Sequence, residues 1–101
     1  EHCYTKTVCW PDIFTDKIAA THIHDNPGRP FEEKVSDFDT HWLPFDGTFD
    51  YHHMMQKLNQ YGYKGPLVLE VFRTAREDYR NMTARAFLET CYERIRRIAR
   101  L

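Results

Sequence analysis

The sequence predicts an α/β fold in which two buried parallel strands alternate with two helices. Two short apolar runs predict strands near residues 18–24 and 67–72, and two amphipathic stretches predict helices near residues 50–61 and 82–100. The resulting order is strand, long loop, helix, strand, helix. A helix between two buried strands is typical of a parallel βαβ unit, so we predict one βαβα domain or a part of one.

The first predicted strand is a short apolar run that leads into two histidines, His22 and His24. The turn-forming residues 25–28 end this strand. Residues 28–48 then follow neither a helix period nor a strand period. Because a connection of about 20 residues without secondary structure is uncommon in compact domains and usually carries function, we expect a functional loop here.

The first predicted helix is delimited by residues suited to its two ends. Asp50 is a good N-cap, because its side chain can accept a hydrogen bond from a backbone N–H of the first turn. Gly62 is a good C-terminal stop. Apolar residues recur between them at helical spacing: Tyr51, Met54, Met55 and Leu58.

The second predicted strand is nearly continuous apolar sequence, which is typical of a strand covered on both faces of a parallel sheet. In the helix near residues 82–100, the apolar residues form one stripe along the helix: Ala84, Phe87, Leu88, Cys91, Ile95 and Ile98. Arginines crowd the C-terminal end of this helix, where they favour its negative pole. We expect them to form a solvent-exposed face.

Composition and charge exclude several classes of protein. The formal net charge of -1 gives no general attraction for nucleic acid or acidic membranes, and no run of about 18 apolar residues is present to span a bilayer. Cys3, Cys9 and Cys91 follow no metal-like spacing. We therefore expect reduced thiols and a cytoplasmic protein without nucleic-acid or membrane partners.

Glu70 is the most informative single position, because it interrupts the apolar second strand. Ionising a buried carboxylate without a partner costs several kcal/mol, so the position calls for a cation. Alternation places Glu70 on the same face as Val68 and Phe72, and a polar residue near the C-terminal end of a parallel-barrel strand faces the active-site mouth. The alternative is an ion pair with Arg73 or Arg76.

A His-x-His pattern ends the first strand. Alternation places His22 and His24 on one face. One imidazole can then bind a metal while the other lies beside the same metal. Asp25 is near enough to orient one of them. The alternative is a pair of hydrogen-bonded histidines at the sheet edge, since patterns this short give frequent false positives.

The loop before the first helix contains an Asp-x-His pattern. Asp39 and His41 offer a carboxylate and an imidazole, a pair suited to a divalent metal or to sugar hydroxyls. Trp42 can stack on a sugar ring, and Pro44 and Gly47 would fix the path of the loop. The alternative is a solvated acidic loop without a specific role.

Three segments together resemble the sugar phosphate isomerase/epimerase family, the xylose isomerase-like TIM barrels that also include endonuclease IV. They are residues 22–26 (HIHDN), 39–51 (DTHWLPFDGTFDY) and 58–71 (LNQYGYKGPLVLEV), and they are specific as an ordered set. The resemblance covers roughly residues 1–72. It implies that residues 1–101 are a partial domain: the C-terminal βαβα portion of a (β/α)8 TIM barrel, without the N-terminal strands. A complete barrel of this kind has about 250 residues.

The resemblance also implies one divalent metal, Mn, Mg, Co or Zn, held at the barrel mouth by two Glu, one Asp and one His. By position, His22 matches the His ligand and Glu70 the last Glu ligand, whereas the other two ligands belong to earlier strands. Asp39 and His41 match the Asp-x-His that endonuclease IV uses for an additional zinc. In the sugar enzymes this loop more often faces the substrate.

The implied reaction is isomerisation or epimerisation of a sugar or sugar phosphate by proton transfer through an enediolate. Glu70 would be metal ligand and acid/base at once, and the metal would act as a Lewis acid. His24, Asp25 and Trp42 would contact the sugar. We expect that the full-length protein can form a homo-oligomer. For the 101 residues alone we expect negligible activity and weak metal affinity.

Two other functions fit the same residues. An endonuclease IV-like zinc phosphodiesterase acting on DNA at abasic sites would share His22, Asp39, His41 and Glu70, but it needs three metals and a phosphate-binding surface that the net charge does not favour. The other alternative is a barrel that binds a sugar without turning it over. Missing carboxylates in the earlier strands would favour that alternative.

Overall fold

The computed structural model of this chain describes residues 15–28 and 39–101. Within them, β1 (Thr21–Ile23) and β2 (Leu67–Leu69) form a two-stranded parallel sheet in which His22 lies opposite Val68. The predicted parallel α/β order is confirmed. Residues 29–38 of the predicted long loop lie outside the described residues, as do Cys3 and Cys9.

Both strands are shorter than predicted, because the pairing between them covers three residues on each side. One further ladder bond runs from the Glu70 N–H to the Ile23 carbonyl at 2.9 Å. Beyond Ile23 the chain changes partner, since Asp25 pairs in antiparallel fashion with Trp42. The apolar residues at 18–20 precede the paired segment and belong to no strand.

A 3-10 turn (Thr15–Lys17) and three α-helices complete the described part of the chain: α1 (Tyr51–Gln60), α2 (Glu77–Asn81) and α3 (Ala84–Ile98). The prediction for α1 is confirmed, because Asp50 accepts a hydrogen bond from the His53 N–H at 2.9 Å and Gly62 follows with a φ of 69°. The helix predicted near 82–100 is α3. The short helix α2 was not predicted, because five residues are too few to show a period.

The core lies on one face of the sheet only. Leu67 and Leu69 pack against a cluster of buried residues from β1, α1 and α3: Ile23, Tyr51, Met54, Met55, Leu58 and Ile98. On the other face, the side chains of Val68 and Phe72 are 39% and 50% exposed. Two-sided cover of β2, as predicted for a complete parallel sheet, is therefore present on one face only, and no described element packs on the second face.

None of the described helices is both long and apolar enough to cross a lipid bilayer. Cys91 on α3 is a free thiol, and partial burial raises its pKa above the ordinary value.

Candidate metal-binding and catalytic site

His22 and Glu70 meet on the open face of the sheet, and we call them the open pair. His22 Nδ1 lies 3.1 Å from Glu70 Oε2, and the two side chains are 68% and 37% exposed. They meet because β1 and β2 are parallel neighbours and Glu70 directly follows β2. The structure thus brings together the two residues predicted as metal ligands, and their binding of a metal stays a prediction.

The surroundings of Glu70 differ from those predicted. Its carboxylate is not buried, since the face it shares with Val68 is open. The alternative of an arginine partner is not realised in the described residues. Arg73 donates hydrogen bonds to backbone carbonyls around the end of α2, and Arg76 forms a bidentate salt bridge with Asp78. These arginines therefore leave the carboxylate of Glu70 to His22.

A second group of ligand-type side chains consists of His24, Asp39 and His41, and we call it the buried cluster. Each offers a ligand atom, and these atoms all lie within 4.8 Å of one another. His24 and His41 are each only 7% exposed, and their rings stack with centroids 4.0 Å apart. Asp39 Oδ1 lies 3.4 Å from His41 Nε2.

The sequence grouped Asp39 with His41 but assigned His24 to a shared site with His22. The structure gives the two histidines of the His-x-His pattern different partners, because β1 ends at Ile23 and the chain then pairs with the loop. The strand alternation used for the prediction does not extend past that point. His24 lies near Asp39 because the chain changes its pairing partner after Ile23, and no local sequence pattern reveals that change.

His41 is held in an unusual conformation by contacts on three sides. Its φ is 49°, a left-handed value that costs a residue other than glycine about 1 kcal/mol or more. Its ring lies between the rings of His24 and Phe72, and the centroids of the His41 and Phe72 rings are 4.3 Å apart. His41 Nδ1 lies 2.8 Å from the Glu70 carbonyl oxygen. The buried cluster is therefore joined directly to the backbone of the open pair.

Asp25 holds the loop of residues 39–50 in place. Its side chain is fully buried and its carboxylate accepts hydrogen bonds from the backbone N–H groups of Asn26 at 2.8 Å, Phe45 at 2.9 Å and Phe49 at 3.2 Å. Burial raises the pKa of Asp25 above its ordinary value, and these hydrogen bonds oppose the rise. The geometry does not support the predicted contact of Asp25 with a substrate or with His22.

The outer side of the same loop is fastened to α2 and α3 through Asp46. Its two carboxylate oxygens accept hydrogen bonds from Tyr79 Oη at 2.6 Å and from Arg94 at 2.9 Å. The Tyr79 hydroxyl in turn accepts from the Leu43 N–H at 3.2 Å, and burial raises the pKa of Tyr79. The sequence placed Arg94 on a solvent-exposed helix face, and its ion pair with a residue 48 positions away was missed.

Trp42, predicted to stack on a sugar, is half-buried beside the guanidinium group of Arg76. The guanidinium carbon lies 4.9 Å from the centre of the ring system. The indole Nε1 is buried and has no hydrogen-bond partner among the described residues. One face of this ring is therefore already covered.

A groove of about 240 Å³ runs beside β1 and is lined by His22 of the open pair but not by Glu70. Its walls are mostly apolar and come from β1, α1 and the residues that precede each of them. His22 and His24 are the two imidazoles among the lining residues. The groove thus offers apolar walls with a few polar groups, the usual composition of a small-molecule site.

Comparison with protein families gives one match. The family model described as xylose isomerase-like TIM barrel matches residues 2–91. Comparisons with curated proteins and with solved structures give no significant match. The matched range includes every residue of the open pair and of the buried cluster.

Proposed function

This chain belongs to the xylose isomerase-like TIM barrel family, and from that premise we propose that it serves the metal-dependent isomerisation or epimerisation of a sugar or sugar phosphate. The observation that carries the proposal is the 3.1 Å separation of His22 Nδ1 and Glu70 Oε2. These side chains lie toward the carboxyl ends of neighbouring parallel strands, and TIM-barrel enzymes have their active sites at that end.

The donor atoms of the open pair suit a divalent metal. Imidazole nitrogen and carboxylate oxygen both bind such ions at about 2.0–2.2 Å, so two ligands of one metal lie roughly 3.0–3.5 Å apart. The separation of 3.1 Å falls within that range. The resemblance implies two further carboxylate ligands from earlier strands, so His22 and Glu70 are proposed as half of a ligand set.

Glu70 is proposed as the acid/base. Its Oε2 faces His22 and is the proposed metal ligand, so Oε1 would take the proton from the carbon beside the sugar carbonyl and return it to the adjacent carbon. Val68 and Phe72 lie exposed on the same face and would contact the apolar C–H edge of the sugar. A bound divalent metal would supply positive charge to the oxygens of the enediolate.

The test is exchange of substrate hydrogen with solvent deuterium. The protein, with any sequence that adjoins these residues in nature, is incubated in D2O with Mn²⁺ and a panel of aldoses, ketoses and their phosphates. Mass spectrometry should detect deuterium beside the carbonyl. Glu70→Gln should lower the exchange rate by about 10²–10⁴-fold, and His52→Gln, at an exposed position on α1, should leave it unchanged. Exchange at the wild-type rate in Glu70→Gln would contradict the proposal.

A metal-dependent phosphodiesterase acting on DNA is the second candidate, and one observation favours it. The buried cluster lies next to the open pair, with His41 Nδ1 2.8 Å from the Glu70 carbonyl oxygen, so the chain has ligand-type groups for more than one metal. Cleavage of a duplex that contains one abasic site, in the presence of Zn²⁺, would favour this candidate. Deuterium exchange without cleavage would favour the sugar enzyme.

A further inference from the structure

We propose that His41 is a positioning residue for Glu70, because it is bonded to the backbone of the segment that carries this carboxylate. The inference rests on the isomerase proposal, in which Glu70 is the acid/base. It goes beyond that proposal by giving His41 a role in turnover that requires no metal at its own side chain. Three observations carry it: the end of the strand pairing at Glu70, the two hydrogen bonds of His41, and the packing of its ring.

The regular pairing of β2 ends just before the residue that is proposed to react. Glu70 directly follows β2, and its N–H donates to the Ile23 carbonyl at 2.9 Å. After Ile23 the chain leaves β2, since Asp25 pairs with Trp42 of the loop. The segment of residues 70–72 therefore needs another neighbour to fix the direction of the Glu70 side chain.

His41 is that neighbour, and its two bonds follow the pattern of a parallel ladder. In such a ladder one residue donates to the carbonyl before its partner and accepts from the N–H after it. The His41 carbonyl accepts from the Phe72 N–H at 3.1 Å, and His41 Nδ1 lies 2.8 Å from the Glu70 carbonyl oxygen. These two groups lie on either side of Val71, so His41 takes the place of a strand residue opposite Val71.

The imidazole makes the bond that a backbone N–H makes in a strand. The φ of His41 is 49°, far from the value of about −120° in a parallel strand, so its backbone is not in a strand conformation. The carbonyl oxygen of Glu70 can only accept, so Nδ1 donates to it in a neutral ring and in a charged ring alike. The bond is therefore the same for either charge of the histidine.

The ring of His41 is itself fixed by packing. It is 7% exposed and lies between the rings of His24 and Phe72, at centroid distances of 4.0 and 4.3 Å. The Glu70 side chain, in contrast, is 37% exposed, so its direction depends on its backbone. A displacement of about 1 Å at a reacting group lowers the rate by about 10²-fold. We therefore expect His41 to act on kcat and to leave KM nearly unchanged.

The matched variants His41→Asn and His41→Asp test the donated bond. Both new residues tolerate a left-handed backbone and have nearly the same size, but only the amide of asparagine can donate to the Glu70 carbonyl. Asparagine has an atom at the place of Nδ1 and none at the place of Nε2, so it keeps the proposed bond and removes any metal bond through Nε2. A metal-ligand role for His41 would therefore make the two variants equally defective.

The first readout is steady-state turnover in the deuterium-exchange assay, with the substrate that the wild type turns over fastest. His41→Asp should lower kcat by about 10–10²-fold and change KM by less than about threefold, whereas His41→Asn should keep kcat within about threefold of wild type. His52→Asn, at an exposed position on α1, is the control and should change neither constant. A kcat in His41→Asn as low as that in His41→Asp would overturn the proposal.

The second readout is hydrogen exchange of the Phe72 amide, followed by NMR in metal-free protein without substrate. This amide should exchange about three- to tenfold faster in His41→Asp than in wild type and His41→Asn, because loss of one hydrogen bond lets the segment open more often. His41→Gly, which suits the left-handed backbone and has no side-chain donor, should exchange as fast as His41→Asp and replaces it if that variant does not fold.

Equal exchange of the Phe72 amide in wild type and in all of these variants would overturn the positioning role. Absence of deuterium exchange into any sugar by the wild type would contradict the isomerase proposal instead. The Phe72 amide would then still show whether His41 fixes the segment of residues 70–72, since its exchange requires no turnover. The two proposals can therefore fail separately.

Discussion

The open pair and the buried cluster are neighbours, yet the chain supports them in opposite ways. Two residues of the buried cluster, Asp39 and His41, belong to a loop that is held by hydrogen bonds to Asp25 and by the hydrogen bonds of Asp46 with α2 and α3. Among the described residues the open pair is held by the pairing of β1 with β2 and by the contact of His41 with the Glu70 carbonyl, and its side chains are 68% and 37% exposed. The difference shows that side-chain hydrogen bonds fix the loop, whereas the open pair is positioned through its backbone.

The two regions also differ in what covers them. Phe72 stacks on His41 with one face, while half of its surface is exposed on the side of the sheet that carries the open pair. In a closed barrel this side of the sheet is the interior, filled by side chains from other strands. We therefore expect substitutions in the fastened loop to change stability, and substitutions in the open pair to change chemistry only.

Asp25→Asn should produce the largest loss of stability. An amide replaces one carboxylate oxygen by an NH2 group, which then faces the N–H of Phe45 or those of Asn26 and Phe49. Leaving buried donors without acceptors costs about 1–3 kcal/mol for each group, so we expect the free energy of unfolding to fall by about 3 kcal/mol. Urea unfolding followed by circular dichroism measures the change.

Asp50→Asn is the matched control for that substitution. Asp50 is exposed and caps α1 through its side-chain oxygen, and asparagine caps a helix about as well as aspartate. We expect a change within about 0.5 kcal/mol. Equal losses in the two variants would mean that Asp25 does not fasten the loop.

Gly47→Ala should follow, with a loss of about 2 kcal/mol. A Cβ atom at this position would overlap the Asn26 carbonyl oxygen and the Asp25 carboxylate, and overpacking of this kind costs about 1–3 kcal/mol. Gly62→Ala is the comparison, because its φ of 69° disfavours alanine but nothing lies within 4 Å of the added atom. We expect about 1 kcal/mol there. A larger loss at Gly62 than at Gly47 would contradict the packing argument.

The elements that the sequence could predict depend on local signals. Helix α1 is read from Asp50, from Gly62 and from apolar spacing, and all three act within a few residues. The parallel pairing follows from a helix between two apolar runs. Because adjacent parallel strands place their ends side by side, the meeting of His22 and Glu70 could also be anticipated from these elements.

The features that escaped the sequence depend on distant or irregular contacts. Asp46 and Arg94 pair across 48 positions, and no periodicity records such a contact. The change of pairing partner after Ile23 ends the strand alternation from which His24 was assigned to a shared site with His22. The exposure of Glu70 was missed for another reason: an apolar strand sequence reports the cover that a complete sheet would have, and the described residues supply cover on one face only.

Tyr79→Phe should cost about 1 kcal/mol. The phenylalanine keeps the buried ring but loses the hydroxyl that donates to Asp46 and accepts from the Leu43 N–H, and a buried hydrogen bond contributes about 0.5–1.5 kcal/mol. Asp46 keeps its ion pair with Arg94. Tyr92→Phe, at a position 61% exposed on α3, should change stability by less than about 0.5 kcal/mol. Identical unfolding curves for wild type and Tyr79→Phe would remove Tyr79 from the support of the loop.

His22→Gln and Glu70→Gln should have the smallest effect, each within about 0.5 kcal/mol. The contact between these side chains is largely exposed, and even an exposed ion pair contributes only about 0–1 kcal/mol because water and salt screen it. Urea unfolding of both variants without added metal measures the effect. A loss above about 1 kcal/mol in either variant would mean that the open pair helps to hold the strands together. Unchanged stability would mean that the contact between this exposed imidazole and carboxylate gives no structural benefit, as we expect if the pair serves binding or catalysis.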